Sequence, residues 1–297
     1  MERIISIVGS IVVCAFAAGV VLVLVELLLL KIRSGKKSSA QRKVALITGA
    51  SSGLGREYAM RLDKKLGEKE EIWLIARRLE RLEEIAKGLR HPVRCLSFDL
   101  TKEESFAQIG ALLKKENAEV RYLINCAGFG KIGKIADMPR SEQDGMLTLN
   151  CSAGMGMVGI CLPYMGRGTR IMNVCSTAGF QPFQSLNVYA ASKACFLRYS
   201  RALRMELLPA GISVTAVCPY WIKDTEFIGI AGPEKKSDIR SFPLSSKVSS
   251  VAALSLFGSS LNLPVVTPGI VCTFHRLFSK LFPDTVLVYI WELLRRA

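Results

Sequence analysis

Residues 44–48, Val-Ala-Leu-Ile-Thr, run straight into Gly49-Ala50-Ser51-Ser52-Gly53-Leu54-Gly55, and a stretch of helical character begins at Arg56. An apolar strand that ends in a glycine loop and leaves it as a helix admits few folds. Glycines let the backbone turn sharply and approach a ligand, and the helix N-terminus that follows offers free N–H groups and the positive end of its dipole. In this strand–turn–helix context the expected ligand is the pyrophosphate of a dinucleotide. Context also disposes of a second glycine run. Gly154-Met155-Gly156-Met157-Val158-Gly159 spells G-x-G-x-x-G but falls inside a predicted helix, where small residues mean close approach of a neighbouring element.

The rest of the chain from Lys43 repeats the alternation. Strands are expected at 44–48, 72–76, 93–98, 122–125, 170–175, 213–218 and, weakly, 263–266, with helical patterns at 56–66, 79–89, 105–116, 141–165 and 189–208 between them. Strand and helix in turn imply an α/β fold, a doubly wound parallel sheet with helices on both faces.

Before this domain stands a different kind of sequence. Ile4 to Val25 is apolar or small throughout, and Leu27–Leu30 resume the run after Glu26. At ~1.5 Å per residue the first part alone reaches ~33 Å, enough for a ~30 Å hydrocarbon core, whereas the apolar region of a signal peptide is about 7–15 residues long. Residues 1–30 are therefore expected to be a transmembrane anchor, with Glu26 reaching the interface. Lys31, Arg33, Lys36, Lys37, Arg42 and Lys43 follow at once, so residues 31–43 read as a basic linker, and the positive-inside bias places the remainder on the cytoplasmic face of a single-pass membrane protein. Residues 1–43 hold seven basic and two acidic side chains, so five of the fifteen net positive charges lie there. The other ten are scattered among acidic residues with no aromatic-interleaved stripe, which argues against a nucleic-acid partner. The nine cysteines form no C-x-x-C pair and sit mostly in apolar runs, as reduced core residues do, and two isolated histidines suggest no metal site.

The loop spacing T-G-x-x-x-G-x-G, beginning at Thr48, resembles that of the short-chain dehydrogenase/reductase family. Other residues agree: Asn125-Cys126-Ala127-Gly128 is similar to that family's N-x-A-G turn, Ser176 ends the fifth strand, and Tyr189-Ala190-Ala191-Ser192-Lys193 matches Y-x-x-x-K. Asn150 falls where the family keeps its fourth catalytic residue. The resemblance covers residues 43–297 and implies a Rossmann fold, a nicotinamide cofactor and a catalytic tetrad of Asn150, Ser176, Tyr189 and Lys193. It also implies cofactor contacts from Thr48, Gly49, Ser51, Ser52, Gly53, Leu54, Gly55, Asn125, Ala127 and Gly128, an adenine contact from Asp99-Leu100, and further contacts from Pro219 and Thr225. One departure is the Pro219-Tyr220 that stands where the family has Pro-Gly, which puts the register of Thr225 in question.

The chemistry makes sense of these positions. On a helix Tyr189 and Lys193 share a face, and an ammonium there stabilises a phenolate. Bringing a tyrosine from its ordinary pKa of ~10 to neutrality takes ~3 units, or about 4 kcal/mol, which one cation and a positively charged cofactor ring would supply. Ser176 would hydrogen-bond the substrate oxygen, Tyr189 would donate the proton in reduction, Lys193 would also hold ribose hydroxyls, and Asn150 would support a water relay.

After the second strand stand Arg77 and Arg78 rather than an acidic residue, so NADP(H) is expected in preference to NAD(H). The catalytic domain is expected over 44–269, followed by an amphipathic helical segment at 270–297, and the resemblance implies a substrate lid near 225–262, a stretch that mixes Gly, Pro and Ser with apolar residues. In that last segment Phe274, Leu277, Phe278 and Leu281 recur at helical spacing, as do Leu287, Ile290, Trp291 and Leu294, which fits core or homodimer surface, or an interfacial membrane contact. The expected activity is interconversion of a ketone and a secondary alcohol on an apolar, steroid- or lipid-like substrate. The rival is a non-catalytic NADP(H)-binding membrane regulator or scaffold.

Overall fold

The computed structural model describes residues 14, 17–22, 24–25, 42–232 and 244–296. Most of the expected anchor and of the basic linker lies outside these residues. The described part of the apolar run is helical and exposed.

From Arg42 the chain builds one parallel sheet of seven strands. They are β1 (Arg42–Thr48), β2 (Glu70–Ala76), β3 (Val93–Ser97), β4 (Ala118–Asn125), β5 (Met165–Val174), β6 (Ser213–Val217) and β9 (Val265–Val266), in the order β3-β2-β1-β4-β5-β6-β9. A short β7 (Ile222–Lys223) and β8 (Ser246–Lys247) pair separately. Alternate residues of β1 belong to opposite faces: Val44 and Leu46 enter one core with Trp73, Phe106 and Met157, and Ala45 and Ile47 enter the other with Tyr58, Leu82 and Leu256. A strand buried on both faces reads as a continuous apolar run, which is how residues 44–47 appear in the sequence. Because β1 pairs with β2 on one side and β4 on the other, the chain reverses direction across the sheet there. A crevice forms at such a switch point, outside the strands' C-terminal ends.

The helices are α1 (Gly53–Leu62), α2 (Leu79–Ala86), α3 (Glu103–Lys115), α4 (Arg140–Leu147), α5 (Ala153–Cys161), α6 (Asn187–Leu207), α7 (Glu226–Ala231), α8 (Val248–Ser260), α9 (Ile270–Leu281) and α10 (Asp284–Arg296). A π-helical turn at Thr148–Ser152 joins α4 to α5. This continuous stretch, Arg140–Tyr164, is long and apolar enough to cross a bilayer. Its glycines explain it as a core element instead: a Cβ on Gly156 would come within 2.9 Å of Phe106, and one on Gly154 would clash with Phe196.

Two boundaries differ from expectation. The lid is narrower than 225–262, since α8 buries Val251, Ala252 and Leu256 against the sheet, which leaves 225–232 beside the cleft while 233–243 lies outside the described residues. The C-terminal segment is two helices, broken at Phe282-Pro283. Its first apolar stripe is not core: Phe274, Leu277, Phe278 and Leu281 are about half exposed or more, whereas Leu287 of α10 is buried.

Candidate active site

A cleft of about 570 Å³ opens at the switch point. Every predicted site residue lines it except Thr48, Asn125 and Asn150, which stand behind its wall. Thr48 is buried, and its Oγ1 accepts from Cys126 N (3.0 Å) and Ala127 N (3.1 Å), tying the end of β1 to the turn after β4. Asn125 faces the sheet interior, donating to Asn173 Oδ1 at 2.9 Å. Asn173 in turn reaches Ser200 of α6.

The glycine loop has the shape of a cradle. Gly49 and Gly53 hold φ of +66° and +50°, a region that side chains rarely enter, and a Cβ on Gly49 would lie 2.8 Å from the Ala127 backbone. A Cβ on Gly55 would collide with Gly49 O. Ser52 precedes α1 without a side-chain capping bond, so the first-turn N–H groups are left for a ligand. The loop, these donors and the guanidinium groups of Arg77 and Arg78 at the same end fit the pyrophosphate and 2′-phosphate of NADP(H).

Arg78 is already engaged. Its Nη2 donates to Ser51 Oγ (3.2 Å), Ser52 Oγ (3.4 Å) and Glu226 Oε2 (3.1 Å), and Arg81 pairs with the other oxygen of Glu226. These pairs hold the Glu226 carboxyl below the usual carboxylate range. Thr225, whose register the Pro219-Tyr220 departure left open, touches the glycine loop: a Cβ on Gly53 would come within 3.3 Å of Thr225 Cγ2. Residues 225–226 thus form a strap across the cleft. The sequence reading missed Glu226 because its partners are about 145 residues away.

Asp99 accepts from Thr101 N and Oγ1, and Leu100 is buried beside it. At the junction of the two ends of the cleft lie Ser176, Tyr189 and Lys193. Ser176 Oγ accepts from Ala178 N at 3.1 Å and stands near enough to the Tyr189 hydroxyl to lower its pKa. Lys193 Nζ donates to Val174 O at 2.9 Å and lies 5.9 Å from the centre of the Tyr189 ring. Asn150 is satisfied through backbone and helix: Phe129 N donates to its Oδ1 (2.9 Å), and its Nδ2 donates to Phe129 O (2.8 Å) and Ser192 Oγ (3.0 Å). Gly128 keeps open the space between Asn150 Oδ1 and Lys193 Nζ, since a Cβ there would be 2.7 Å and 3.5 Å from them.

The expected depression of the tyrosine pKa is absent in this structure. Burial pushes Tyr189 up to about 12, with the nearby Ser176 opposing, and burial pulls Lys193 below its ordinary value. The ring is shut in by Phe227 at 5.7 Å, and the Lys193 ammonium is turned onto the Val174 carbonyl. Helical spacing puts the pair on one face, but it does not aim the ammonium at the phenol.

Beyond Tyr189 the cleft wall turns aromatic, with Phe129, Phe183, Trp221, Phe227 and Trp291. Trp291 comes from α10: it packs edge-on against Phe183 at 4.9 Å and donates from Nε1 to Gln184 O at 3.3 Å. His275 of α9 docks beside it on Gln181 Oε1 (2.7 Å) between the edges of Phe180 and Phe183, and burial lowers its pKa to about 4. The stripe containing Trp291 was visible in the sequence, but nothing there showed that it reaches the cleft.

The family model for short chain dehydrogenases matches residues 43–234. The chain belongs to the short-chain dehydrogenase family. This dehydrogenase is accordingly an oxidoreductase. It is 33% identical over 205 residues to an NADP-dependent 3-hydroxy acid dehydrogenase of Schizosaccharomyces pombe, covering 66% of this chain and 78% of that one. It is 34% identical over 200 residues to a sulfoacetaldehyde reductase of Chromohalobacter salexigens, covering 65% and 78%. Among solved structures, a short-chain dehydrogenase from Sphingobium yanoikuyae in complex with NADPH superposes with a TM-score of 0.69 at 29% identity, covering 80% of this chain and 93% of that one.

Proposed function

We propose that this dehydrogenase uses NADP(H) to interconvert a ketone and a secondary alcohol on an apolar, steroid- or lipid-like substrate. The observation that carries the reading is the convergence of Ser176, Tyr189 and Lys193 in one cleft, between a phosphate-shaped glycine loop and an aromatic wall. NADP(H) is supported by Arg77 and Arg78 at the cleft's adenosine end and by the NADP-using relatives. When bound, the cofactor would supply the hydride in its reduced form and a positively charged ring in its oxidised form. The chain's own residues do the rest. Ser176 and Tyr189 hydrogen-bond the substrate oxygen, and the Tyr189 hydroxyl delivers the proton in reduction and receives it in oxidation. Lys193, freed from Val174, holds ribose hydroxyls and lowers the cost of the phenolate. Asn150 fixes the Phe129 backbone and faces Lys193 across Gly128, where a water relay would run.

An apolar substrate is supported by the aromatic wall. It is supported further by the exposed stripe of α9, which leads into α10 and so to Trp291 in that wall. We place residues 1–30 in a membrane as a single-pass anchor with the catalytic domain on the cytoplasmic side. The same exposed stripe suits contact with lipid, and a homodimer through it is the rival use. Protease protection in sealed vesicles tests the orientation: a shielded catalytic domain would reverse it.

The activity is tested by following NADPH oxidation by the purified full chain over a panel of ketones. Bulky apolar ketones should be consumed fastest. Inactivity across the panel while NADPH binds tightly would favour the rival reading, a cofactor-binding regulator.

A further inference from the structure

Cys151 and Cys195 meet at an Sγ–Sγ distance of 2.9 Å, although 44 residues separate them in the chain. Their positions are not ordinary. Cys151 follows Asn150 on the π-helical turn, and Cys195 lies on α6, two residues beyond Lys193. The sequence reading took all the cysteines as reduced core residues. Seven of the nine, Cys151 among them, are buried or half-buried, but Cys195 is exposed.

We propose that Cys151 and Cys195 form a reversible disulfide, making this pair a site of thiol oxidation by small disulfides of the glutathione class. A disulfide needs its sulfurs at ~2.05 Å, so closing the bond asks for a movement of less than about 1 Å. The order of steps follows from access. The exposed Cys195 thiolate attacks one sulfur of the oxidant, forming a mixed disulfide and releasing one thiolate. Cys151 then loses its proton and attacks Cys195 Sγ, expelling the second thiolate. Two cysteines are oxidised and one small disulfide is reduced to two thiols, with the cysteine protons passing to the departing sulfurs. Burial and then the neighbouring Cys195 raise the Cys151 pKa, which keeps it from attacking first, and its place beside Cys195 Sγ carries the second step once the mixed disulfide has formed.

The bond joins the two supports of the site. Asn150 is held by Ser192 Oγ of α6 as well as by the Phe129 backbone, so the turn that carries Asn150 and the helix that carries Tyr189 and Lys193 already meet through one hydrogen bond. The disulfide fastens them covalently one residue further along the turn. Cys175 and Cys218 also sit beside site residues, but both are buried and out of reach of an oxidant of that size.

The test needs no activity, so its failure is separable from failure of the proposed reaction. The full chain in mild detergent is equilibrated with mixtures of reduced and oxidised glutathione, quenched with an alkylating agent and mapped by mass spectrometry without reduction. A peptide pair linking Cys151 to Cys195 should appear as the buffer becomes oxidising, vanish with dithiothreitol and be absent in Cys195→Ser. Cys151→Ala should instead stop at the mixed disulfide, with glutathione on Cys195. If the Cys151 variant fails to fold, the wild type and Cys195→Ser alone still decide the matter. The proposal is overturned if wild-type Cys195 carries glutathione with no link to Cys151, or if it pairs with Cys195 of a second chain as a dimer on a non-reducing gel.

Discussion

At the glycine-loop end of the cleft the decisive contacts are made by backbone, and at the aromatic end they are made by side chains from distant elements. Gly49 turns at φ +66° against the Ala127 amide, Thr48 pins the β1 end to the β4 end, and the donors facing a phosphate are first-turn N–H groups. Across the cleft, Phe183, Phe227 and Trp291 come from three different segments and are held by edge-on or tilted ring contacts, one indole hydrogen bond and a histidine. A backbone cradle tolerates few residue types at each position, so it leaves a spacing in the sequence. An aromatic wall accepts many residues from many places and leaves none.

Tyr189 stands where the two ends meet, and removing its hydroxyl should have the largest effect. Tyr189→Phe keeps the ring against Phe227 and deletes the proton donor, so turnover should fall by ~10²–10⁴ while the NADPH dissociation constant holds. Steady-state kinetics and cofactor titration, with thermal melts as a control on folding, measure this. If more than about a tenth of the turnover remains, another group supplies the proton.

The difference between the ends also sets how much of the molecule was legible beforehand. Six of the seven sheet strands overlap the expected runs, because strands buried on both faces are short apolar runs bounded by turns, although β4 and β5 begin at Ala118 and Met165, well before the expected 122 and 170. The two-residue β9 was expected weakly, two residues too early, and β1 begins at Arg42, inside the expected linker. Of the site residues, the glycine loop stands out by its spacing between strand and helix, whereas those at the other strand ends follow from the family resemblance. What spacing could not give was the direction of side chains: Asn125 turned into the sheet, Lys193 onto Val174, and Glu226 onto two arginines some 145 residues away. The resemblance implies a lid over the stretch that holds α8, and the Gly, Pro and Ser around it do not contradict that, yet the apolar face of α8 fills the core.

The aromatic end should be the softer one, and acid should expose that. An unfolded histidine ionises near pH 6.5, whereas docked His275 does so at about 4. Between those values a detached helix pair takes up a proton that the docked one refuses, so docking stability present above pH 6.5 is lost as pH falls towards 4, by at most about 3 kcal/mol. Hydrogen exchange over residues 270–293 should therefore speed up with acidification relative to the sheet. His275→Gln, which does not titrate, should flatten that dependence. Parallel acid sensitivity in β1 and β4 would erase the contrast between the two ends.

The backbone end is expected to keep its shape when its charges change, so a loss there should be selective. Replacing Arg77 and Arg78 together with Gln should weaken NADPH by roughly ten- to a hundredfold relative to NADH, because charge-assisted hydrogen bonds contribute ~1.5–3 kcal/mol and only NADPH carries the extra phosphate. Fluorescence titration of both cofactors reads the ratio. Equal weakening of the two would mean that the arginines support the loop rather than read the phosphate.

Glu226 is where the two ends communicate, and its effect should be the smallest and the most specific. Its carboxylate spans Arg78 and Arg81, and the next residue, Phe227, lies on the Tyr189 ring. A 2′-phosphate and this carboxylate want the same guanidinium donors, so one must give way or share. Ion pairs this exposed are worth ~0–1 kcal/mol, which bounds the competition at about fivefold. Glu226→Gln should accordingly tighten NADPH by a few fold, leave NADH unchanged and release the strap, so that hydrogen exchange over 225–231 rises without cofactor. High salt should shrink the advantage of the variant, since it screens the pair in the wild type as well. Adding Glu226→Gln to the Arg77 and Arg78 replacements should bring no further gain, because no guanidinium would remain at 78 for the carboxylate to occupy. A variant that tightens NADH as much as NADPH would show that Glu226 obstructs the whole cofactor path and has no particular dealings with the phosphate.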